Sequence, residues 1–219
     1  LRASGAAPRT EGEPQHTSDS AGRRLRKSRY DSVDSYLTTR EWNDVPLEMN
    51  ERVRQRLLES GVDALLAEHM AHLFVRDPLV IFSENINLDD TRSMDHFENI
   101  QSTNWQTMRF KTPPHGSHTG WRVEFRSMEI QLTDFENAAF CIFLVLLSRV
   151  IMTMPVDFGM PISLVDVNMQ RAQRRDAIHS QRFHFRSSRH TSQTQEYTLA
   201  DIFHGSPGDN TMPGLLPLV

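Results

Sequence analysis

The sequence predicts an α+β fold, and two patterns carry that prediction. Apolar residues recur at three- and four-residue spacing between residues 50 and 76, and they dominate the segment after Thr133; both patterns are typical of helices. Between them, Trp121–Arg126 alternates apolar and charged side chains, which is the period of a strand with one covered face. Helices and strand are therefore expected in separate stretches of the chain.

The composition excludes several classes of protein. The chain has 219 residues, a net charge of -4 and a pI of about 6.2, so it has no overall basic field and we expect no nucleic-acid partner. Its single cysteine excludes an internal disulfide framework, which favours a reducing, cytoplasmic setting. The longest apolar run, Ala138–Leu147, has 10 residues, against the ~20 needed to cross a bilayer. We therefore expect a soluble protein with no membrane partner.

Residues 1–28 are rich in Ser, Gly, Pro, Arg and Glu and have almost no large apolar side chain, so they are predicted to form a disordered arm or loop. The basic cluster Arg23–Lys27 could be a nucleic-acid or nuclear-targeting patch, but a solvated loop is the favoured interpretation. The folded part is expected to span residues 29–219.

The first helical stretch runs from a cap at Asn50 to about Arg76, with a break at Gly61 and a stop at Pro78. His69 and His72 lie three residues apart within it. They could form half of a metal site, but no recognised zinc spacing surrounds them, so two partly buried, hydrogen-bonded histidines are favoured.

The middle of the chain is predicted to alternate loops and strands. Asp89–Asn99 is acidic and is expected to be a loop, Ser102–Phe110 is strand-like, and Thr112–Gly120 contains the prolines and glycines of a second loop. The strand Trp121–Arg126 follows.

A capping box, Thr133 to Glu136, opens the second long helix, which is expected to end near Met152 before Pro155. Because this helix is apolar nearly all round, it is predicted to lie in the centre of the core, and Cys141 on it is predicted to be an inert buried thiol.

The remaining chain has two predicted segments. An amphipathic, basic helix is expected over Asp166–Gln181, and a polar, mobile segment over Gln181–Gln195.

The charged face of Trp121–Arg126 holds Glu124 between Arg122 and Arg126. From spacing alone, either a structural ion-pair ladder or a site for a divalent cation and phosphate would explain it, since Mg²⁺ takes carboxylate oxygens and arginine binds phosphate. Glu129 and Gln131, which are again two residues apart, extend the polar supply, and so polar a series favours a site with a ligand.

Two long segments resemble the catalytic subunit of eukaryotic glutamate–cysteine ligase. They are NIQSTNWQTMRF at Asn99–Phe110 and GWRVEFRSMEIQLTDFENAAF at Gly120–Phe140. The blocks at Ser28–Leu37, Leu65–Leu79 and Glu196–Leu199 are similar to the same family and occur in the same order. The resemblance covers residues 28–219, so residues 29–219 are identified as part of that family's catalytic domain.

This resemblance implies a glutamine-synthetase-like carboxylate–amine ligase fold, an antiparallel sheet packed with helices whose open face holds substrates and metals. It implies ligation of the glutamate γ-carboxylate to the cysteine amine with ATP and Mg²⁺ through an acyl phosphate, the first step of glutathione synthesis. A regulatory modifier subunit is a further partner known in this family.

The family likeness also implies residue roles. Glu124 corresponds to a metal ligand, and Arg126 to the catalytic group on the nucleotide or acyl phosphate. Substrate-binding positions are expected at the following residues: Trp105, Arg29, Tyr30 and Arg122.

The chain departs from the family pattern in two places. The turn FKTPPHGSHTG at Phe110–Gly120 differs from the family's proline-rich turn, and the acidic residues that complete the family's metal cluster have no counterpart in residues 1–27. An alternative hypothesis is therefore a non-catalytic fragment that acts only as a protein-interaction module.

Overall fold

The computed structural model describes residues 27, 31–38, 41–75, 82–104, 108–114, 116–126, 128–188, 192–206 and 214–219. The regular secondary structure of these residues consists of helices and two small antiparallel sheets, in agreement with the predicted α+β class. Two compact units are formed, Leu1–Ser127 and Met128–Val219. Apart from Lys27, the predicted N-terminal arm, residues 1–28, lies outside the described residues.

Within its described residues, the first unit contains three α-helices, a 3-10 turn at Ser83–Asn85 and one pair of strands. They are α1 (Glu51–Glu59), α2 (Ala64–Leu73), α3 (Asp95–Asn104), β1 (Met108–Lys111) and β2 (Arg122–Phe125).

The break predicted at Gly61 and the cap predicted at Asn50 are both confirmed. Gly61 has a φ of 84°, which places it in the left-handed region that favours glycine. The Asn50 side chain accepts a hydrogen bond from Val53 N at 3.2 Å, and Asp63 caps α2 through Leu66 N at 3.0 Å. Helix α2 ends at Leu73, ahead of Pro78, which lies outside the described residues.

His72 has the environment that the sequence predicts. It is 8% exposed, its Nδ1 lies 2.6 Å from Glu48 O, and its Nε2 lies 3.1 Å from Asp34 Oδ2. His69 is half-buried, and burial lowers its pKa to about 4, with a smaller contribution from neighbouring His72. No group of three His, Cys, Asp or Glu side chains within the described ranges could hold a metal ion.

Helix α3 corrects two predictions. The expected loop Asp89–Asn99 turns helical at Asp95, and the expected strand Ser102–Phe110 begins only at Met108. Acidic residues are typical of loops, but Asp95 and Glu98 lie in the first turn of α3, where carboxylates stabilise the positive end of the helix dipole.

The second unit contains five helices and a second hairpin within its described residues. They are α4 (Asp134–Thr153), α5 (Ile162–Ala172), α6 (Ala177–Ser180), β3 (Phe183–Arg186), β4 (Thr194–Tyr197), α7 (Leu199–His204) and α8 (Leu215–Leu218).

The boundaries of α4 follow the prediction. Thr133 Oγ1 accepts from Glu136 N at 3.2 Å, and the Glu136 carboxylate accepts from Thr133 N at 3.2 Å, which completes the capping box. The helix ends at Thr153, and Met154 is extended ahead of Pro155.

The environment of α4 differs from the prediction. Val150 is its one fully buried residue, and Cys141 is exposed, so the expected central core helix and buried thiol are both wrong for this structure. The apolar composition was predicted correctly, but burial also requires elements that cover every face. By length and composition alone, α4 is the one helix among the described residues that could cross a membrane. The predominantly apolar part of this helix is therefore longer than the uninterrupted 10-residue run Ala138–Leu147 suggests.

The segment after α4 also differs from its prediction. The helix expected over Asp166–Gln181 is α5 followed by a break, because Asp176 adopts a left-handed φ of 55°. The expected mobile segment Gln181–Gln195 contains strand β3, which pairs antiparallel with β4 from Phe183 opposite Tyr197 to Arg186 opposite Thr194.

The core of the second unit centres on two buried residues, Ile202 and Leu215. Aromatic and aliphatic side chains pack around them: Phe143, Leu147, Phe158, Phe183, Phe185, Tyr197 and Phe203. Gly214 has a φ of 89°, and a Cβ placed on it would lie 2.3 Å from Gly205 N. Only glycine fits there, so the chain passes in direct backbone contact with the end of α7.

Candidate active site

Strand β2 carries the charged face predicted from the sequence. The apolar side chains on its other face, Trp121, Val123 and Phe125, are 48%, 50% and 52% exposed, whereas the Glu124 side chain is 29% exposed. The alternation is therefore confirmed, and the charged face is the more covered of the two within the described residues. A covered face of this polarity must be satisfied by ion pairs, water or a ligand.

The hairpin brings the second strand's cation to this face. In the antiparallel register Lys111 of β1 pairs with Arg122 and Arg109 pairs with Glu124. Directly opposite residues of an antiparallel pair are close neighbours. Lys111, with a side chain 22% exposed, places its Nζ 3.7 Å from Glu124 Oε2.

Glu124 is held from two sides. Arg126 Nε donates to Glu124 Oε1 at 2.6 Å, and Lys111 lies on the other carboxylate oxygen. The contact between Arg126 and Glu124 is part of the ion-pair ladder that is one of the two interpretations of the residue spacing. It also fixes the Arg126 guanidinium plane, because a bond from Nε restricts rotation about the side chain.

Arg122 is anchored at one end and has unused donor capacity at the other. Its Nη2 donates to Thr112 O at 2.9 Å, where β1 runs into the loop. Its Nε and the Thr112 Oγ1 are buried without a protein hydrogen-bond partner. A buried polar group left unpaired costs about 1–3 kcal/mol. A ligand oxygen or an ordered water would remove this cost.

The arrangement fits an anion better than it fits a complete metal site. Lys111 and Arg126 contact the Glu124 carboxylate, and Arg122 adds a third cationic group on the same strand face. Arginine's planar fork matches phosphate or carboxylate oxygens. Mg²⁺ requires about six oxygen ligands, and the described contacts place one carboxylate, that of Glu124, on this face. No cluster of three such side chains occurs in the described part of the chain.

The predicted site residues divide into two groups. Arg122, Glu124 and Arg126 share the β2 face, as the sequence predicts. The substrate-binding predictions for Arg29, Tyr30 and Trp105 lie outside the described residues. Sequence reasoning missed Lys111, because its place opposite Arg122 depends on the register of a hairpin whose first strand was expected to end at Phe110.

A second charged cluster lies in the other unit and is internally paired. Arg171 Nη2 lies 2.8 Å from Glu196 Oε1, and His184 Nε2 lies 3.4 Å from the same oxygen. Arg171 also donates to Arg182 O at 2.8 Å. The hydrogen bond from Arg171 is the main cause of the lowered pKa of Glu196. This network fixes α5 on the β3–β4 hairpin and offers no comparable set of unused donors.

The chain belongs to the glutamate–cysteine ligase family. The family's sequence model, described as "Glutamate-cysteine ligase", matches residues 4–219, which is nearly the whole chain and includes the charged hairpin. This class assignment agrees with the resemblance drawn from Asn99–Phe110 and Gly120–Phe140.

Individual relatives make the assignment specific. The chain is 50% identical over 218 residues to the mouse "Glutamate--cysteine ligase catalytic subunit", covering 90% of this chain and 34% of that protein. It is 51% identical over 206 residues to a Schizosaccharomyces pombe "Glutamate--cysteine ligase", covering 88% and 31%. The Saccharomyces cerevisiae enzyme is 43% identical over 206 residues, covering 85% and 30%. The chain thus spans about a third of the length of the curated relatives it matches.

Proposed function

We propose that the full-length protein containing this chain is a glutamate–cysteine ligase. It joins the γ-carboxylate of glutamate to the amine of cysteine, with ATP as the phosphoryl donor. The observation that carries the proposal is the β2 face, where one carboxylate and three cationic side chains lie together inside a family match of residues 4–219.

The chemistry explains why such a face is useful. A carboxylate is a poor acyl donor, because an oxide ion is a poor leaving group. Transfer of the ATP γ-phosphoryl group to the glutamate γ-carboxylate gives an acyl phosphate and ADP. The cysteine amine then attacks the acyl carbon, phosphate leaves, and the amine loses a proton. Charge spread over the phosphoryl oxygens in the first step is stabilised by fixed cationic donors.

The residues of the hairpin take distinct roles in this proposal. Arg126, oriented through its Nε by Glu124, binds the phosphate oxygens and stabilises the transferring group. Arg122, anchored on Thr112 O, directs its buried Nε toward an anionic substrate oxygen. Lys111 adds a third positive charge 3.7 Å from Glu124 and limits the net negative charge of the site.

Mg²⁺ would add charge neutralisation and orientation of the phosphates. Glu124 would supply one of its oxygen ligands, and the others would come from outside the described residues. Trp105, Arg29 and Tyr30 remain proposed substrate-binding residues. A cytoplasmic location and a regulatory modifier subunit are proposed on the family resemblance.

The test uses the full-length protein. We expect ADP release that requires both glutamate and cysteine, with γ-glutamylcysteine as the product. Arg126→Gln should abolish most of this turnover, whereas Arg52→Gln, at an exposed position on α1, should not. A full-length protein that folds but makes no product would contradict the proposal and favour the interaction-module alternative. Product formation without ATP would contradict the mechanism.

A further inference from the structure

The side chain of His96 contacts two other parts of the first unit at the same time. Its Nδ1 lies 2.7 Å from Asp90 Oδ1, and its Nε2 lies 2.8 Å from Asn85 O. His96 belongs to the first turn of α3, and Asn85 is the last residue of the 3-10 turn that begins at Ser83. One imidazole ring therefore joins the 3-10 turn, the loop that follows it and the start of the helix.

These two contacts require a proton on each ring nitrogen. A neutral imidazole has one N–H donor and one acceptor nitrogen. The carbonyl oxygen of Asn85 and the ionised carboxylate of Asp90 can only accept. A neutral His96 would therefore leave one ring nitrogen beside an oxygen with no hydrogen between them, whereas the imidazolium donates to both.

The charges around His96 favour the same form. The hydrogen bond to Asn85, followed by that to Asp90, raises the pKa of His96; the charges of Asp90 and Asp95 add to this shift, and desolvation opposes it. The side chain is 40% exposed, so its proton exchanges with the solvent. The 3-10 turn, the loop and α3 carry these further charged residues: Glu84, Asp89, Arg92 and Glu98.

We propose that His96 is a proton-dependent clip. In the doubly protonated form it ties Asn85 and Asp90 to the first turn of α3; after it loses one proton to the solvent it keeps only one of these contacts, and residues 86–95 open locally. Histidine is the side chain whose ordinary pKa places such a change near neutral pH.

The direction of the pH dependence follows from the raised pKa. The clip is complete below about pH 6.5, the ordinary pKa of histidine, and it loosens as the pH rises through the higher pKa of the folded protein. All of its contacts lie within the first unit, and the inference does not depend on the proposed activity.

Hydrogen exchange of the full-length protein measures the clip directly. Arg92 N and Ser93 N donate to Asp89 O at 2.9 and 3.0 Å, so exchange of these amides reports on the opening of the loop. The protection factor divides the exchange rate of the unfolded peptide by that of the native protein at the same pH, which removes the intrinsic pH dependence of exchange.

Between about pH 6 and about pH 9, the protection factor of residues 86–95 should fall about 2- to 5-fold, the range that a partly exposed ion pair supports. A protection factor that stays constant over this range would overturn the proposal.

Two substitutions separate the proton from the contacts. His96→Gln removes the titrating group, so the protection factor of residues 86–95 should no longer vary with pH; a fall equal to that of the wild type would overturn the proposal. Asp90→Asn retains an acceptor oxygen but removes its charge, so the midpoint of the fall should move to lower pH. A midpoint that does not move would contradict the role of Asp90.

His179→Gln is the matched control, because His179 also pairs with a carboxylate, with its Nδ1 2.8 Å from Asp176 Oδ1, but in the second unit. This variant should keep the wild-type response of residues 86–95. Loss of the response in His179→Gln would show that it does not arise at His96, and would also overturn the proposal.

Discussion

Replacing Glu124 with glutamine in the full-length protein should separate chemistry from folding. Glu124 contacts Arg126 Nε at 2.6 Å and Lys111 Nζ at 3.7 Å, and the three side chains are 22–39% exposed. Ion pairs at partly exposed positions contribute about 0.2–1 kcal/mol, and glutamine retains an acceptor oxygen for Arg126. The thermal midpoint should therefore fall by no more than about 4 °C.

The effect on turnover should be much larger than the effect on stability. The substitution removes the negative charge that orients Arg126 and the proposed oxygen ligand for Mg²⁺. Loss of one electrostatic group at a reacting centre typically costs about 100- to 1,000-fold in turnover, or about 3–4 kcal/mol. We expect a loss of that size at saturating glutamate, cysteine and Mg-ATP.

The assay measures ADP release that depends on both amino acids, together with a thermal melt of the same preparation. Glu51→Gln is the matched control, because Glu51 also pairs with an arginine, Arg54 at 3.7 Å, but on the exposed surface of α1. Unchanged turnover in Glu124→Gln at saturating Mg²⁺ would refute the metal-ligand role. If the loss of turnover in Glu124→Gln is proportional to a loss of folded protein, the expectation that Glu124 acts on turnover and not on folding would be refuted.

Three further predictions concern stability and are measured by urea unfolding. Burial lowers the pKa of His69 from 6.5 to about 4, so as the pH falls His69 takes up its proton in the unfolded chain before it does so in the folded protein. The free energy of unfolding should therefore fall by about 3 kcal/mol between pH 6.5 and pH 4. His69→Asn should make the free energy of unfolding much less dependent on pH in this range. Thr198→Val should cost about 1 kcal/mol at pH 7. Hydrogen bonds from Thr198 lower the pKa of Asp201, so the stability lost in Thr198→Val should become smaller as the pH falls below about 4 and Asp201 is protonated. A difference in unfolding free energy between wild type and variant that stays constant with pH would contradict this coupling. Asp157→Ala should lower the free energy of unfolding by about 1–3 kcal/mol, because the Arg186 side chain is 2% exposed and loses the carboxylate oxygen 2.7 Å from its Nη2. Asp157→Asn should lower it less, and equal urea midpoints for the two variants would contradict this role of the carboxylate.

Local sequence signals predicted the features that depend on neighbouring residues. The capping box at Thr133, the break at Gly61 and the alternation of β2 are all set within a few residues, and all are found in the structure. The pairing of Lys111 with Arg122 was not predicted, because a hairpin register depends on the length and geometry of the loop between its strands.

The predictions that are wrong rest on composition alone. Acidic composition predicts a loop, although Asp95 and Glu98 stabilise the start of a helix. In the β3 segment the alternation of Phe183 and Phe185 with polar residues is a strand signal that the overall polarity of the segment conceals. The burial of α4 was overestimated, because composition reports what a helix can bury and the surrounding elements decide what it does bury.

The contact between Gly205 and Gly214 has a consequence for which residues position 214 can accept. A Cβ on Gly214 would meet Gly205 N and Phe203 O, which are main-chain atoms at the end of α7. Because no side-chain rotation can move main-chain atoms aside, any other residue at this position would push the start of α8 away from α7. Ile202 lies on α7 and Leu215 on α8, so such a substitution would also separate the two buried residues at the centre of this core.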